Sequence, residues 1–317
     1  MMDENKKTGI PTKTVSAIAG GISGASTRFF CQPFDVIKIR FQLQVEPIST
    51  KHIEAKYTGI RQAMLLITKE EGIRALWKGH IPAQMLSIVY GVVQFTAFDF
   101  LKDEMEKIYP DSNKRALVNF ICGSLSGCAA TLASFPFDVI RTRLVAQGNY
   151  KPIYSNMRIA LYHMYLKEGP YSLWKGLTPS LIQSAPQAGT QFAFYKFFKG
   201  LFVKTYWLGK ENEGEGDLFI SGSLLAGSLA GLSSKCVTYP FDLARKRMQI
   251  QGFQRARTGF GKSFFCTGLI SCLVTTVGGE GIIGLFKGLT PSLVKAIITN
   301  SLIFSIYEKT CQVLMLL

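Results

Sequence analysis

PFDVIKIR at 33–40, PFDVIRTR at 136–143 and PFDLARKR at 240–247 are three copies of one string, spaced 103 and 104 residues apart in a chain of 317. Each reads Pro-Phe-Asp, two apolar or small residues, a base, any residue and a second base. Self-similarity at a fixed long period marks a repeat architecture. A second string follows each copy: EGIRALWKG from Glu71, EGPYSLWKG from Glu168 and EGIIGLFKG from Glu280, ending on Gly79, Gly176 and Gly288. A third precedes each proline by 13 and 9 residues: Gly20/Gly24, Gly123/Gly127 and Gly227/Gly231. That is GxxxG, which lets helices approach closely in lipid. Three motifs in one register divide the chain into a polar tail over 1–13 and repeats over 14–107, 114–203 and 216–314.

Each repeat predicts a long helix that reaches the Pro-Phe-Asp motif and kinks there. A short polar segment and an amphipathic helix follow, then a second long helix after the Trp/Phe-Lys-Gly turn. The long helices are expected near 14–43, 79–107, 114–146, 176–203, 216–250 and 289–314. Ala116–Phe137 and Gly176–Tyr195 run 22 and 20 residues without a charge, near the roughly 20 needed to span a bilayer. They also carry Ser, Thr, Asn, Gln, Gly and Pro, as a helix with lipid on one side and water on the other would. The mean hydropathy of +0.18 is low for a membrane protein, and a wet interior explains it. The expected fold is all-α: six transmembrane helices in three tandem two-helix repeats, a pseudo-threefold barrel around a central axis.

A formal net charge of +15 would suggest nucleic acid in a soluble protein. Here the bases recur at helix ends and loops in threefold register instead of clustering on one face, so no nucleic-acid partner is expected. A basic nucleic-acid-binding protein is the remote alternative. No P-loop, no GxGxxG after a strand and no His/Cys/Asp cluster occurs, so neither an enzyme nor a metal site is expected; the histidines are His52, His80 and His163. The seven cysteines form no CxxC pair. Cys122/Cys128 and Cys266/Cys272 stand six apart, which suits neither zinc nor a thioredoxin-like pair, and they read as small apolar helix residues. No cleavable signal follows the polar residues 1–13.

The three-motif pattern resembles the mitochondrial carrier family over essentially the whole chain. The resemblance implies a multi-pass, monomeric six-helix barrel of the inner mitochondrial membrane with short matrix helices. It also implies alternating access between cytoplasm-open and matrix-open states. In each Pro motif the acid and the base three residues on share a helix face, so three pairs around an axis can close a ring of bridges. By similarity the matrix gate pairs Asp35 with Arg141, Asp138 with Arg245 and Asp242 with Lys38, braced by Gln42 and Gln249; the second repeat has Val145 at the brace position. The competing reading is solvated helix-end charge. The cytoplasmic gate pattern is kept by Asp99 and Lys102, half-kept by Lys199 and Glu308, and broken by Lys196 and Cys311. The weaker cytoplasmic gate leads us to expect a resting state open to the cytoplasm. The turns Trp77-Lys78-Gly79, Trp174-Lys175-Gly176 and Phe286-Lys287-Gly288 resemble the family's cardiolipin sites at helix N-termini.

Threefold symmetry also locates a path where it is broken. Five residues before the motif prolines stand Arg28, Thr131 and Lys235; seven after the turn glycines stand Leu86, Gln183 and Lys295. By resemblance both sets face the cavity. Arg28, Lys235 and Lys295 lie inside helices with no acid nearby in sequence. A lone cation at a bilayer centre costs about 2.5–3.5 kcal/mol on insertion scales, whereas in a wet cavity it attracts anions, phosphate above all. The alternative is that one or more of them snorkels or pairs structurally. Ser87, Tyr90 and Gln94, Ser184, Gln187 and Gln191, and Asn300 near Lys295 complete the expected surface. Amides and a tyrosine bind and stack on a heteroaromatic ring, although Gln94 and Gln191 would equally link helices. The expected partner is a phosphorylated anionic small molecule with a polar ring.

Within the family, WKGHIPAQMLSIVYGVVQF (77–95), PFDVIKIRFQLQ (33–44) with KYTGIRQA after it, and GFQRARTGFG (252–261) are most similar to the branch that carries thiamine pyrophosphate. That resemblance implies its import into the matrix in exchange for a nucleotide, as substrate, with no cofactor. The alternative inside the family is a nucleotide, deoxynucleotide or coenzyme A carrier. The polar pair Gln183-Ser184 departs from the small apolar pair of a nucleotide-type site.

Overall fold

The computed structural model describes residues 12–48, 55–108, 115–148, 152–207, 215–253 and 264–316. The polar tail and most of the basic loop at 252–261 fall outside the described residues. The first repeat forms α1 (Thr12–Leu43), α2 (Ile60–Glu71) and α3 (His80–Ile108). The second forms α4 (Arg115–Ala146), α5 (Met157–Glu168) and α6 (Leu177–Trp207), and the third α7 (Glu215–Gln249), α8 (Leu269–Glu280) and α9 (Leu289–Leu316). The ends of the long helices fall within four residues of expectation. Among the described residues three stretches, Ile73–Ile108, Val118–Ala146 and Ile282–Leu314, are long and apolar enough to cross a membrane.

The extensive helix seams join different repeats. α3 packs along α4, α6 along α7 and α9 back along α1, while the two long helices of one repeat touch little. The chain thus closes into a ring, with its apolar core at the Pro-Phe-Asp end. There Val36, Ile37 and Ile39 of α1 meet Ala63 and Ile67 of α2 and Val145 of α4, all buried.

α1, α4 and α7 run unbroken through Pro33, Pro136 and Pro240. A helical proline has no N–H, so the carbonyl four residues before it loses its partner. Those carbonyls belong to Phe29, Leu132 and Cys236. Trp77 Nε1 donates to the Phe29 oxygen at 3.1 Å, and Trp174 Nε1 to the Leu132 oxygen at 3.0 Å. The tryptophans of the turns therefore repair the helices that the prolines interrupt. The third repeat has Phe286, which has no N–H to offer.

Two expectations are corrected. The GxxxG faces are not close helix contacts: a Cβ built at Gly20, Gly24, Gly123, Gly127, Gly227 or Gly231 meets nothing within 4 Å. Cys266 and Cys272 are not separate apolar residues but a disulfide, with Cα atoms 4.7 Å apart. Repeat alignment explains the pairing. Cys266 stands where the other repeats have Tyr57 and Tyr154, and Cys272 where they have Ala63 and Ala160. The space of a tyrosine packed on an alanine is filled by two adjoining sulfurs.

Candidate functional site

The three Pro-Phe-Asp acids converge at one end of the ring. Arg141 lies 2.6 Å from Asp35, Arg245 2.8 Å from Asp138 and Lys38 2.5 Å from Asp242. Each bridge joins two repeats. Gln42 Nε2 donates to Tyr239 Oη at 3.0 Å and to Asp242 at 3.4 Å, and Gln249 Nε2 donates to Asp138. Two further cations join the ring. Lys246 Nζ, missed in the sequence, donates to both Asp138 oxygens at 2.8 and 2.9 Å and to Thr142 Oγ1 at 3.1 Å. Its signal was there: it stands where the other repeats have Ile39 and Thr142. Lys295 Nζ donates to both Asp35 oxygens at 2.7 and 2.8 Å. The acid it lacks nearby in sequence is thus met across the bundle.

Below this ring lies a second, also threefold. Arg40, Arg143 and Arg247, the second bases of the motif, are fully buried. Arg40 grips both Glu71 oxygens at 2.7 and 2.8 Å, and Arg143 and Arg247 grip Glu168 and Glu280 in the same way. Burial pushes the Glu71 and Glu168 carboxyls up, but the bonds from Arg40 and Arg143 outweigh it and hold both below the usual carboxylate range. Burial pushes Tyr57, beside Arg40, up to about 12.

The turns expected to hold lipid are engaged with protein. Lys78 and Lys175 donate to Glu71 and Glu168 at 2.6 and 3.2 Å, and Lys287 to Glu280. Gly79, Gly176 and Gly288 have φ of 76°, 88° and 84°, a region that favours glycine. A methyl group on them would come within 3.2, 2.9 and 2.9 Å of the carbonyl oxygens of Arg141, Arg245 and Lys38. Each turn glycine rests on the backbone of a gate base from another repeat.

Arg28 and Lys235 make matching contacts. Arg28 donates to the Ala83 oxygen at 2.9 Å and Lys235 to the Ser292 oxygen at 3.2 Å, each four residues past its turn glycine. A cavity of about 400 Å³ opens above the ring, and it brings together Arg28, Ser87 and Tyr90 with Thr131, Ser180 and Arg245. Lys235, Lys295, Gln94, Gln183, Ser184, Gln187, Gln191 and Asn300 do not line it. Gln187 instead ties α6 to α7 through its backbone, its oxygen accepting from Ser234 Oγ at 2.7 Å.

Lys102 pairs with Glu106 of its own helix at 3.8 Å, and Lys199 lies over the Tyr195 ring. Asp99 lies on α3 and Glu308 on α9.

Comparison with known proteins accords with this geometry. The profile of the family described as mitochondrial carrier protein matches residues 11–108, 112–206 and 216–316. The mitochondrial thiamine pyrophosphate carriers of Macaca fascicularis and Homo sapiens are each 46% identical over 95% of this chain and 92% of their own length. The mitochondrial thiamine diphosphate carrier 2 of Zea mays is 38% identical over 93% of this chain and 92% of its own. With three profile matches laid over its three structural repeats, the chain belongs to the mitochondrial carrier family.

Proposed function

We propose that this chain imports thiamine pyrophosphate across the inner mitochondrial membrane into the matrix by alternating access, in exchange for a nucleotide. The relatives' names suggest the substrate; the position of Lys295 supports the mechanism. Val145 stands where the other two bridges have Gln42 and Gln249, leaving the Asp35–Arg141 bridge a single long glutamine contact, from Arg141 to Gln32 Oε1 at 3.5 Å, and Lys295 is Asp35's second partner. A pyrophosphate arriving from the open end competes with Asp35 for Lys295. Once it wins, Asp35 keeps Arg141 alone, at the least braced bridge of the gate. A ligand shifts a two-state equilibrium by its differential affinity for the two states, and this exchange supplies that difference. Arg28 and Lys235 each hold one backbone carbonyl, a contact of about 1.5–3 kcal/mol net for a charged donor, which their stronger pairing with a phosphate offsets.

In this reading the six acids and bases of the Pro motifs, with Gln42, Gln249 and Lys246, form the matrix gate. Asp99, Lys102, Lys199 and Glu308 form a weaker cytoplasmic gate, so the resting state is open to the cytoplasm. Gln94, Gln183, Ser184, Gln187, Gln191 and Asn300 receive the substrate on its way in. The carrier works as a monomer with cardiolipin at its three turns, and thiamine pyrophosphate is cargo, not a cofactor. Uptake of labelled thiamine pyrophosphate into proteoliposomes loaded with nucleotide tests the proposal. A protein that imports another anion and leaves thiamine pyrophosphate outside refutes it.

A further inference from the structure

The second repeat lacks two ties that the others have. In the first, Arg28 donates to the Ala83 oxygen at 2.9 Å and Gln32 to the Lys78 oxygen at 2.9 Å. In the third, Lys235 donates to the Ser292 oxygen at 3.2 Å and Tyr239 to the Lys287 oxygen at 3.0 Å. These four donors stand five residues and one residue before the motif prolines. In the second repeat the same places hold Thr131 and Phe135. Thr131 Oγ1 turns back to the Gly127 oxygen of its own helix at 2.8 Å, and Phe135 packs against the Arg245 guanidinium at 5.2 Å. Neither reaches α6. The cavity lies here, with Thr131, Ser134, Phe135 and Ser180 on one side and Ser87 and Tyr90 on the other.

We infer that this seam is the subsite for the heteroaromatic end of the substrate, and that Thr131 fixes specificity by withholding a third cation. The inference rests on the function proposed above and deepens it. Besides Arg28, Asp138 and Arg245, the slot is lined by the hydroxyls of Ser87, Thr131, Ser134 and Ser180, which both donate and accept, and by the Tyr90 ring, which offers a stacking face. At about 400 Å³ it falls within the usual range for small-molecule sites. A base at position 131 would reach the Ser180 oxygen as Arg28 and Lys235 reach theirs. It would close the seam and repel a ring that carries positive charge. With Asp138 offsetting Arg245 in the same lining, a neutral residue at position 131 admits a substrate with anionic phosphates at one end and a cationic ring at the other. A purely anionic ligand gains nothing from the omission. Specificity is a difference of affinities, and here the difference comes from what is left out.

The test is the KM for thiamine pyrophosphate uptake, with inhibition by inorganic pyrophosphate, in proteoliposomes of wild type, Thr131→Lys and Thr131→Val. Thr131→Lys should raise KM at least tenfold while pyrophosphate inhibits as strongly as in wild type or more so. Thr131→Val, similar in size but without the hydroxyl, should raise KM several-fold. A Thr131→Lys carrier with the wild-type KM overturns the inference, as does one whose pyrophosphate inhibition weakens in step. Should Thr131→Lys fail to reconstitute, Thr131→Val decides, and an unchanged KM counts against the subsite. Absent uptake in wild type overturns the proposed function and the subsite together; insensitive variants overturn the subsite alone.

Discussion

Lys295 Nζ donates to both carboxylate oxygens of Asp35, at 2.7 and 2.8 Å, joining α9 to its neighbour α1. Arg141 holds the same acid at 2.6 Å. Lys295→Gln should therefore cost little stability, because Asp35 keeps one cation and is not stranded. Uptake should fall at least tenfold, because the charge that trades Asp35 for the substrate is gone. Retained uptake with a collapsed melting temperature would reverse the reading and make Lys295 structural.

The second ring makes the opposite prediction. Arg247 is 1% exposed and grips Glu280 through both oxygens, with Thr276 at 2.9 Å. Removing one member of a buried pair costs about 3–5 kcal/mol where the other is left with no charged partner; Glu280 keeps Lys287 when Arg247 is lost, so the cost here falls below that range. Arg247→Met should lower thermal stability in detergent accordingly. Lys107→Ala breaks the exposed pair with Glu104 and should leave the melt unchanged. Equal effects would show that burial does not set the strength of these pairs.

Acid should find the second ring at Glu71. Its folded pKa is below the unfolded one, so the pair contributes fully above the ordinary carboxylate range and is lost as pH falls through the lowered value. Melts of wild type and Glu71→Gln should differ most near neutrality and converge below about pH 4. A gap that does not change with pH would mean that Glu71 acts by shape, not by charge.

The repeat register made the three bridges readable, since each acid and its base stand at fixed places in a string present three times. Where Lys246 and Lys295 go was not readable. Helical periodicity places neighbours on one helix, while their partners Asp138 and Asp35 belong to other repeats. That distance is set by how the helices pack, as it is for Gln187, whose backbone and not its amide joins α7. Thr131 was visible as a break in symmetry. That Phe135 and Ser180 widen it into a slot needed the contacts of the other two repeats.

Gly288 and Gly281 separate backbone strain from close approach. Both have positive φ, 84° and 73°. A methyl at Gly288 would come within 2.8 Å of Tyr239 Oη and 2.9 Å of the Lys38 oxygen, whereas at Gly281 it meets nothing within 4 Å. Gly281→Ala should cost about 1–3 kcal/mol from its positive-φ, extended-ψ backbone alone. Gly288→Ala should cost more and also loosen the Lys38–Asp242 bridge, since it displaces the backbone of Lys38. Equal losses in a thermal melt would rule out the contact with the gate base.

The hydrogen bond from Trp77 to Phe29 gives the last prediction, because one repeat lacks it. Proline frees the carbonyls of Phe29, Leu132 and Cys236, and the indoles of Trp77 and Trp174 take up the first two. In hydrocarbon an unsatisfied carbonyl has no water to turn to. Trp77→Phe keeps a ring but removes the donor on this lipid-facing surface, and should cost about 1–3 kcal/mol, the cost of a polar group left without partner or water. Phe286→Trp should act in the other direction. It places an indole where the threefold frame puts the other two, within reach of the Cys236 oxygen, and should raise the melting temperature. The double variant Trp77→Phe, Phe286→Trp should fall near wild type if the two seams are independent. A Phe286→Trp protein less stable than wild type would show that the third seam has closed around its phenylalanine and that Cys236 meets its need elsewhere.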